Sequence, residues 1–326
     1  MTTSFPMNAG DGLYSYSKNS HFQKEIIDGV KEMVRDAIIR KLDIKTILSS
    51  SNTLRITELG CSVGPNTFSS MQHIVEALKG QSILEFQIFF NDQVTNDFNT
   101  LFQSLPVDRS YYASGVPGSF YDRLFPSRSI HFLHSSCAIN WFSKLPKELL
   151  DEKSPAWNKG RIHYVGASNV EIVNAYVAQF EKDMEMFFNA RAEEIVPGGM
   201  MVLVTPFSGY VRLLGFFGSS LMDMVNEEKL DESLVDSFNL PLYYPSPQDM
   251  TKVLINIKSN LVDEADAKTL MMSIRSSIEG VTINHFGSKI AEEACARTII
   301  KSEEISEWMK VNYEKPSILF VALKRK

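Results

Sequence analysis

Residues 56–67 place the end of a strand, a glycine turn and the start of a helix in direct succession, and this order constrains the fold more than any other feature. The stretch begins as a β-branched and apolar run and then contains Gly60, Gly64 and Pro65. Apolar residues recur beyond it at helical spacing, namely Phe68, Met71, Ile74, Val75 and Leu78. A strand that leads through glycines into a helix typically opens a doubly wound α/β sheet, whose ligands bind at the carboxyl ends of the strands.

The glycine spacing indicates what kind of ligand the turn accepts. It is not the G-x-G-x-x-G pattern of a dinucleotide site, because Ser62 takes the place of a second close-packed glycine and Pro65 follows the last one. An NAD-dependent dehydrogenase is therefore disfavoured. A nucleoside without phosphates, such as S-adenosylmethionine, fits the pattern better. A tight turn that binds nothing is the structural alternative.

Two later segments carry groups suited to a nucleoside. Asp92 follows the predicted strand 85–90, and a carboxylate at this strand end can accept hydrogen bonds from both ribose hydroxyls. Its alternative role is to cap a following helix. The Gly-Val-Pro-Gly sequence at 115–118 predicts a turn. Ser119 and Phe120 come directly after it and offer a hydroxyl and a flat ring to an adenine.

A further strand end is a candidate for binding a second ligand. The predicted strand 129–136 is followed by Asn140 and Trp141. The strand-end argument places both side chains where they can face a substrate. A buried tryptophan is more often part of a core, but its indole N–H also binds acceptors.

The segment ahead of the first long helix has two interpretations. Tyr16 and Gln23 lie in a stretch rich in hydroxyls and amides, which precedes a predicted helix at 25–48. One interpretation is a helix lead-in with Ser20 as its cap. The other is a flap over a ligand, with Tyr16 and Gln23 pointing inward.

Composition argues against several classes of partner. The formal net charge is −6 and no basic block of five or more residues is present, so we expect no nucleic-acid partner. Three widely separated cysteines form neither a CxxC pair nor a disulfide framework. We see no signal peptide and no apolar stretch of about 18 residues. These features predict no membrane partner and a reducing, cytoplasmic location.

The α/β alternation divides the chain into two regions. It runs through residues 1–204 and returns at 284–326, which we predict to form one α/β domain with an N-terminal flap. Between them, residues 205–283 are rich in methionine, leucine and phenylalanine and predict a mostly helical cap, a substrate domain.

Taken together, the motifs resemble those of a known family. The matching segments are Ser15–Ser20 with Gln23, Leu59–Thr67, Phe90–Asp92 with Asn96–Phe102, Gly115–Tyr121, His134–Ser136 with Trp141, and Asn239–Pro241. In this order they resemble the plant SABATH family of S-adenosylmethionine-dependent methyltransferases, most closely its farnesoic and nicotinic acid carboxyl methyltransferases. The resemblance implies a Rossmann-like class I methyltransferase sheet, α/β in class, with a mostly helical cap over the active site.

The resemblance also implies roles for individual residues. The cofactor would contact Tyr16, Cys61, Asn66, Asp92, Gln93, Ser119 and Phe120. The substrate carboxylate would be gripped by Gln23 and Trp141, which are the implied catalytic pair, with Cys137 and Asn140 also lining the substrate site. Salicylate-type members have Tyr and His where this chain has Cys137 and Asn140, which weakens salicylate as the substrate. A magnesium site would consist of Asn158, Asp236, Phe238 and Asn239.

The implied reaction needs little acid–base chemistry. The methyl group of S-adenosylmethionine passes to the carboxylate of a small-molecule acid, giving a methyl ester and S-adenosylhomocysteine. A carboxylic acid with a pKa near 4 is already ionised at neutral pH, so no general base is required. Relatives of this family imply a homodimer. The alternatives are N-methylation of a purine-like heterocycle and a non-catalytic protein that binds a small acid.

Overall fold

The computed structural model covers the chain except for short internal and terminal stretches. It describes residues 6–48, 52–79, 85–206, 213–253, 258–261, 267–301, 304–305 and 317–325. The sequence resemblance predicts loops that are shorter than is usual for the family around residues 49–52, 79–81 and 205–212. Most of these positions lie outside the described residues. Within the described ranges, no helix has the length and apolar character needed to cross a membrane.

Seven strands, eleven α-helices and one short 3-10 helix (Lys147–Leu149) make up the described fold. The strands are β1 (Thr53–Leu59), β2 (Glu85–Asp92), β3 (Tyr112–Pro117), β4 (Ile130–Ser136), β5 (Ile195–Pro206), β6 (Lys258–Leu261) and β7 (Ser317–Lys324). The first helices are α1 (Tyr16–Asn19), α2 (His21–Lys41), α3 (Ile44–Ile47), α4 (Pro65–Lys79) and α5 (Phe98–Gln103). The later ones are α6 (Val170–Glu194), α7 (Leu214–Asn226), α8 (Glu232–Asp236), α9 (Pro247–Val253), α10 (Ala267–Phe286) and α11 (Ser288–Ile300).

All seven strands belong to one sheet in the order β3-β2-β1-β4-β5-β7-β6. β1 to β5 run parallel to their neighbours, and β7 lies antiparallel between β5 and β6. Leu59 of β1 pairs with Asn91 of β2, and Glu58 pairs with His134 of β4. The carboxyl ends of three parallel strands therefore meet at one edge, as the sequence predicts for a doubly wound α/β fold.

Helices cover both faces of the sheet, which makes a three-layer core. On one face, α2 and α4 pack against the strands through side chains such as Ile26, Met71 and Ile56. On the other face, α6 contributes Phe180 and Phe187. The buried positions of α4 recur three and four residues apart, which is the spacing seen in the sequence.

Two details differ from the sequence expectations. The Gly-Val-Pro-Gly turn at 115–118 instead contributes the end of an edge strand, because β3 runs from Tyr112 to Pro117 before the chain turns at Gly118. The Pro-Gly-Gly sequence at 197–199 predicts the stop between a helix at 170–195 and a strand at 200–204, but α6 already ends at Glu194 and β5 runs through the three residues from Ile195. An edge strand tolerates Pro117, since proline has no N–H to donate and the outer side of an edge strand needs none for the ladder.

The region at 205–283 contributes helices and one strand. α7 and α10 pack together with α11 in an apolar cluster that contains Phe217, Leu221 and Ile278. β6 also lies in this range and pairs with β7, so the predicted cap extends the sheet as well as covering it. The domain boundaries themselves remain a prediction.

Gly60 illustrates how tightly the first strand end is packed. Its φ of +79° lies in the left-handed region, and a Cβ there would come 2.2 Å from the Cβ of Ala138. We expect Gly60→Ala to lower the free energy of unfolding by about 2 kcal/mol or more, because strain and overpacking add. Urea denaturation measures this. The matched control is Gly29→Ala on an exposed face of α2, which meets nothing within 4 Å and should stabilise by about 0.5–1 kcal/mol. Equal stability of the two variants would contradict the packing argument.

Candidate active site

Asp92 lies where the carboxyl ends of β1 and β2 meet. Its Oδ2 accepts a hydrogen bond from the N–H of Ser62 at 2.8 Å, and its Oδ1 accepts one from the N–H of Gln93 at 2.8 Å. Desolvation in this position raises the pKa of Asp92 to about 6, although both hydrogen bonds act to lower it. Each carboxylate oxygen keeps further acceptor capacity, so the group can receive the two hydroxyls of a ribose.

The glycine turn beside Asp92 fits a nucleoside rather than a pyrophosphate. The N–H groups of Gly60 and Cys61 both donate to Asn91 O at 2.9 Å, so they are not free for a phosphate. Ser62 has a φ of +49° and its buried Oγ has no partner in the described structure. An unpaired buried hydroxyl is costly, and a bound ligand can satisfy it. The turn therefore suits the S-adenosylmethionine that the sequence predicts.

Ser119 and Phe120 form a wall across from this turn. The Cε1 of Phe120 lies 3.8 Å from the position that a Cβ on Gly60 would occupy, so the ring faces the turn. The Oγ of Ser119 accepts from the N–H of Tyr121 at 3.2 Å. Asn91 holds the start of this wall, because its Nδ2 donates to Val116 O and Gly118 O. An aromatic face next to a ribose-binding carboxylate is suited to an adenine.

Asn66 joins the N-terminal segment to the cofactor turn. It lies in the first turn of α4, and its Nδ2 donates to both the O and the Oγ of Ser20 at 2.9 Å. Ser20 makes no side-chain capping bond at the start of α2, so its hydroxyl serves this contact instead of a cap. The ring of Tyr16 lies close to Gly64 of the same turn. In this structure Asn66 anchors the segment, and its contact with the cofactor stays a prediction.

A second set of contacts fixes the same segment to α10. Asn8 donates from Nδ2 to the Glu279 carboxylate and to Tyr14 O, and from its N–H to Ser276 O. Glu279 also accepts from the Arg275 guanidinium, which lies 3.4 Å over the Tyr14 ring. Residues 6–20 are thus bonded to the cofactor turn on one side and to α10 on the other, as a flap requires.

An open cavity lies beneath this flap. It has about 560 Å³ of empty space, including its solvent-filled mouth. The lining residues are Met7, Tyr16, Phe22, Gln23, Cys137, Asn140, Trp141, Pro206, Leu214, Leu242, Tyr244, Ile274, Ser277 and Ile278. The cavity therefore brings together five residues that the sequence predicts for the site, from Tyr16 to Trp141. Phe217 on α7 packs in the apolar cluster with Leu221 and Ile278 and is not among the lining residues.

Among the lining residues that escape prediction from the sequence, three carry a polar or sulfur-containing side chain. Met7 lies in the flap, Tyr244 lies in the loop after α8, and Ser277 lies on α10. None of the three directly follows a parallel strand. The Asn-Leu-Pro motif ahead of Tyr244 is the one local signal. Backbone hydrogen bonds hold this motif against the loop after β4, because Phe142 N–H donates to Pro241 O and Tyr243 N–H donates to Asn140 O.

The described lining of the cavity contains no Asp, Glu, His, Lys or Arg. Burial raises the pKa of the Cys137 thiol to about 12, so it stays protonated at neutral pH. Burial also raises the pKa of the Tyr16 and Tyr244 phenols far above neutrality. The side chains that line the described cavity are neutral at pH 7, so this lining offers hydrogen bonds but no proton acceptor of useful basicity.

A buried acid–imidazole pair underlies the site. Glu58 Oε2 and His134 Nδ1 lie 2.5 Å apart across β1 and β4, and both side chains are almost fully buried. Glu58 directly precedes the Leu59-Gly60 turn. The contact ties the two strand ends together beneath the cofactor turn, and the sequence argument did not identify it because the pair spans 76 residues.

The four residues of the predicted magnesium site lie in one neighbourhood. Asp236 Oδ1 accepts from Gly160 N–H at 2.7 Å, and Asn158 Nδ2 donates to Asn239 Oδ1 at 2.5 Å. Asn158 Oδ1 is buried without a partner, which suits a hard cation, but Asn239 Oδ1 is already engaged. Among the residues that the structure describes, no three His, Cys, Asp or Glu side chains converge as a metal centre. The fit to magnesium is therefore partial, and the ion stays a prediction.

Comparison with known proteins agrees with this geometry. A family model described as "SAM dependent carboxyl methyltransferase" matches residues 2–326. Loganic acid O-methyltransferase from Catharanthus roseus is 41% identical over 98% of this chain and 94% of its own length. Farnesoic acid carboxyl-O-methyltransferase from Arabidopsis thaliana is 40% identical over 78% of this chain and 76% of its own length.

A solved structure shows the same similarity. The structure titled "Loganic acid methyltransferase with SAH" has a TM-score of 0.93 and 40% identity, and the match covers 98% of this chain and 99% of that one. The predicted class I sheet, the predicted cofactor and the predicted enzyme class are thereby confirmed. The chain belongs to the SABATH family of S-adenosylmethionine-dependent carboxyl methyltransferases, enzymes that transfer a methyl group to the carboxylate of a small-molecule acid.

Proposed function

We propose that the acid methylated by this enzyme has a largely apolar body and one hydrogen-bonding group near its carboxylate. The observation that carries the proposal is the described lining of the cavity, which is uncharged and contains the buried, unpartnered amide oxygen Oδ1 of Asn140. The apolar lining from Phe22, Leu214, Ile274 and Ile278 supports the apolar body.

The proposed carboxylate grip consists of Gln23 from α2 and Trp141 from the loop after β4. Both side chains line the same cavity, and neither carries a charge. The backbone of Trp141 is held by Tyr121, whose OH donates to Trp141 O at 2.5 Å. When bound, S-adenosylmethionine supplies an electrophilic methyl group on a positively charged sulfur. Gln23 and Trp141 would then fix one carboxylate oxygen in line with that group, while the flap excludes water.

An uncharged cavity suits a reaction in which two opposite charges disappear. The anionic acid loses its charge as the ester bond forms, so water stabilises the separate reactants more than the transition state. A Lys or Arg beside the carboxylate would act like water, because it would stabilise the reactant anion and lower its nucleophilicity. Neutral donors orient the anion at a smaller cost.

The same neutral lining argues against N-methylation as the main activity. A purine N–H must lose its proton, and the described lining residues include no side chain that is a base at neutral pH. Paraxanthine methyltransferase 2 from Arabidopsis thaliana is 31% identical to this chain, so a purine belongs in the assay as a control.

Asn140 supports a polar group on the acid. It is 4% exposed, it lines the cavity beside Trp141, and its Oδ1 has no partner in the described structure. Leaving a buried amide unpaired costs about 1–3 kcal/mol, and a substrate hydroxyl would recover it. A pure hydrocarbon acid would leave the amide unpaired.

The test compares acids that differ by one hydroxyl. Labelled S-adenosylmethionine is incubated with benzoate against each ring-hydroxylated benzoate, and with loganate, farnesoate, jasmonate, nicotinate and paraxanthine. We expect methyl esters, and at least one hydroxylated acid preferred over its parent by about tenfold or more in kcat/KM. Asn140→Leu should bring that ratio close to one.

Ser277 provides the matched control, because it also lines the cavity with a polar side chain and has an interaction of its own within the protein. Ser277→Ala should leave the preference for the hydroxylated acid intact. Equal rates for all parent and hydroxylated acids would overturn the polar-group proposal. Label on paraxanthine alone would overturn carboxylate methylation by this chain.

Three further properties belong to the same proposal. Magnesium would use the free Asn158 Oδ1, and a MgCl₂-dependent rise in melting temperature that Asp236→Ala abolishes would support it.

A homodimer would cover exposed apolar side chains such as Tyr112 on the edge strand, and sedimentation would test it. A cytoplasmic location is supported by three free cysteines and tested by fluorescent tagging.

A further inference from the structure

A buried ion pair lies at the end of α6, outside the cavity and outside every motif discussed above. Arg191 is 1% exposed and Glu194 is not exposed at all. Arg191 Nε donates to Glu194 Oε2 at 2.8 Å. Burying two charges is costly unless their remaining donors and acceptors are also satisfied, so the other partners of this pair indicate why it is there.

All the remaining side-chain hydrogen bonds described for the pair go to one loop. Arg191 Nη1 donates to Phe120 O at 2.6 Å, and Nη2 donates to Asp122 O at 2.9 Å. Glu194 Oε1 accepts from the N–H groups of Leu124 and Phe125 at 2.5 and 3.0 Å. Two side chains thus make four hydrogen bonds to the backbone of residues 120–125, which have no sheet or helix to pair with.

The same loop carries the adenine wall. Its start is constrained at Gly118, where a Cβ would lie 2.8 Å from Leu124, and its Phe120 ring faces Gly60. Phe187 completes the support, because it lies edge-on to Phe120 at 6.2 Å and under the Arg191 guanidinium at 5.3 Å. The ion pair therefore fixes both the backbone and the ring of Phe120, and neither of its members lines the acid cavity.

We propose that Arg191 and Glu194 are positioning residues that set the affinity for S-adenosylmethionine by holding the loop at residues 119–125 against the glycine turn. The inference rests on the proposed contact of Ser119 and Phe120 with the cofactor. Arginine is required because its planar fork reaches two carbonyls and one carboxylate at once, which a lysine ammonium cannot do. Loss of the fork lets the loop drift, and a drift of about 1 Å is enough to weaken a preorganised site.

The test measures cofactor and acid affinity separately. Arg191→Lys and Glu194→Gln should raise the Kd for S-adenosylhomocysteine and the KM for S-adenosylmethionine by about tenfold. The KM for the acid, and kcat at saturating cofactor, should stay within about twofold of wild type. Arg191→Lys keeps the charge and Glu194→Gln keeps the size, so at least one of them should fold, as checked by circular dichroism.

Arg123 is the matched control on the same loop. It pairs with Glu193 at 2.8 Å on the surface, with both side chains about half exposed, and its one described bond to the loop backbone is a long one, from Nη2 to Phe125 O at 3.3 Å. Surface pairs contribute little, so Arg123→Met should leave the Kd for S-adenosylhomocysteine unchanged. An unchanged Kd in both Arg191→Lys and Glu194→Gln would overturn the proposal, as would an equal rise in the KM values for cofactor and acid. Calorimetry with S-adenosylhomocysteine needs no acid, so failure of the proposed substrate class would not affect this result.

Discussion

Replacing Trp141 with alanine is expected to lower kcat/KM for the acid by about 100-fold, because an in-line transfer slows by about that factor when its substrate is no longer held in position. The backbone around Trp141 is held from both sides, by Phe142 N–H to Pro241 O at 2.8 Å and by Tyr121 OH to Trp141 O at 2.5 Å. The loop should therefore keep its shape in the variant, and the loss should come from the indole itself.

Two further variants separate the indole N–H from the ring. Trp141→Phe keeps an aromatic ring but removes the donor, and we expect an intermediate loss with little change in the KM for S-adenosylmethionine. Trp157 is a comparable tryptophan that does not line the cavity, so Trp157→Ala serves as the control and should keep kcat/KM within a few fold. Acid kinetics in Trp141→Ala that match those of Trp157→Ala would remove Trp141 from the carboxylate grip.

Replacing Asp92 with alanine is expected to raise the Kd for S-adenosylhomocysteine by about 100-fold, since charge-assisted hydrogen bonds contribute about 1.5–3 kcal/mol each and two at the low end of that range sum to about 3 kcal/mol. The carboxylate also accepts from the N–H groups of Ser62 and Gln93, so the turn would loosen at the same time. Asp97→Ala is the control, because Asp97 is a helix cap that bonds Thr100 nearby in the chain. A normal Kd in Asp92→Ala would contradict the ribose role.

The pH dependence of cofactor binding gives Asp92 a second signature. Its pKa in the ligand-free protein is raised to about 6 by desolvation, and the ionised form is the one that accepts ribose hydroxyls. Affinity for S-adenosylhomocysteine should therefore be constant above about pH 7 and fall as the pH drops through 6. Asp92→Asn should remove this dependence. Calorimetry between pH 5 and 8 measures both.

The strand ends could be predicted from the sequence because their signals are local. Gly60 is followed by a helix with regular apolar spacing, and Asp92 and Trp141 each follow a β-rich run. In a parallel sheet, local position along the chain is enough to place such residues at one edge. Three separate segments thus converge on the glycine turn and the cavity, as the strand-end argument requires.

What the sequence left out depends on distant contacts. Arg191 bonds Phe120 across 71 residues, and Asn8 bonds Glu279 across 271 residues. Nothing in the spacing around either residue distinguishes it from an ordinary helix or loop residue, because the information lies in how the layers pack. The Gly-Val-Pro-Gly sequence failed as a turn signal for a similar reason, since pairing with β2 outweighs the local preference.

The position of β7 between β5 and β6 has a consequence for how the protein is made. β6 pairs with β7 in the described sheet and has no other described strand beside it, yet β7 follows it by more than fifty residues in the chain. During synthesis the first five strands can assemble as soon as residue 206 has left the ribosome, because their pairing partners all precede it. The edge of β5 then stays open until residues 317–324 emerge. An unpaired strand edge is a template for pairing with other chains, so the nascent chain is most prone to aggregation in that interval.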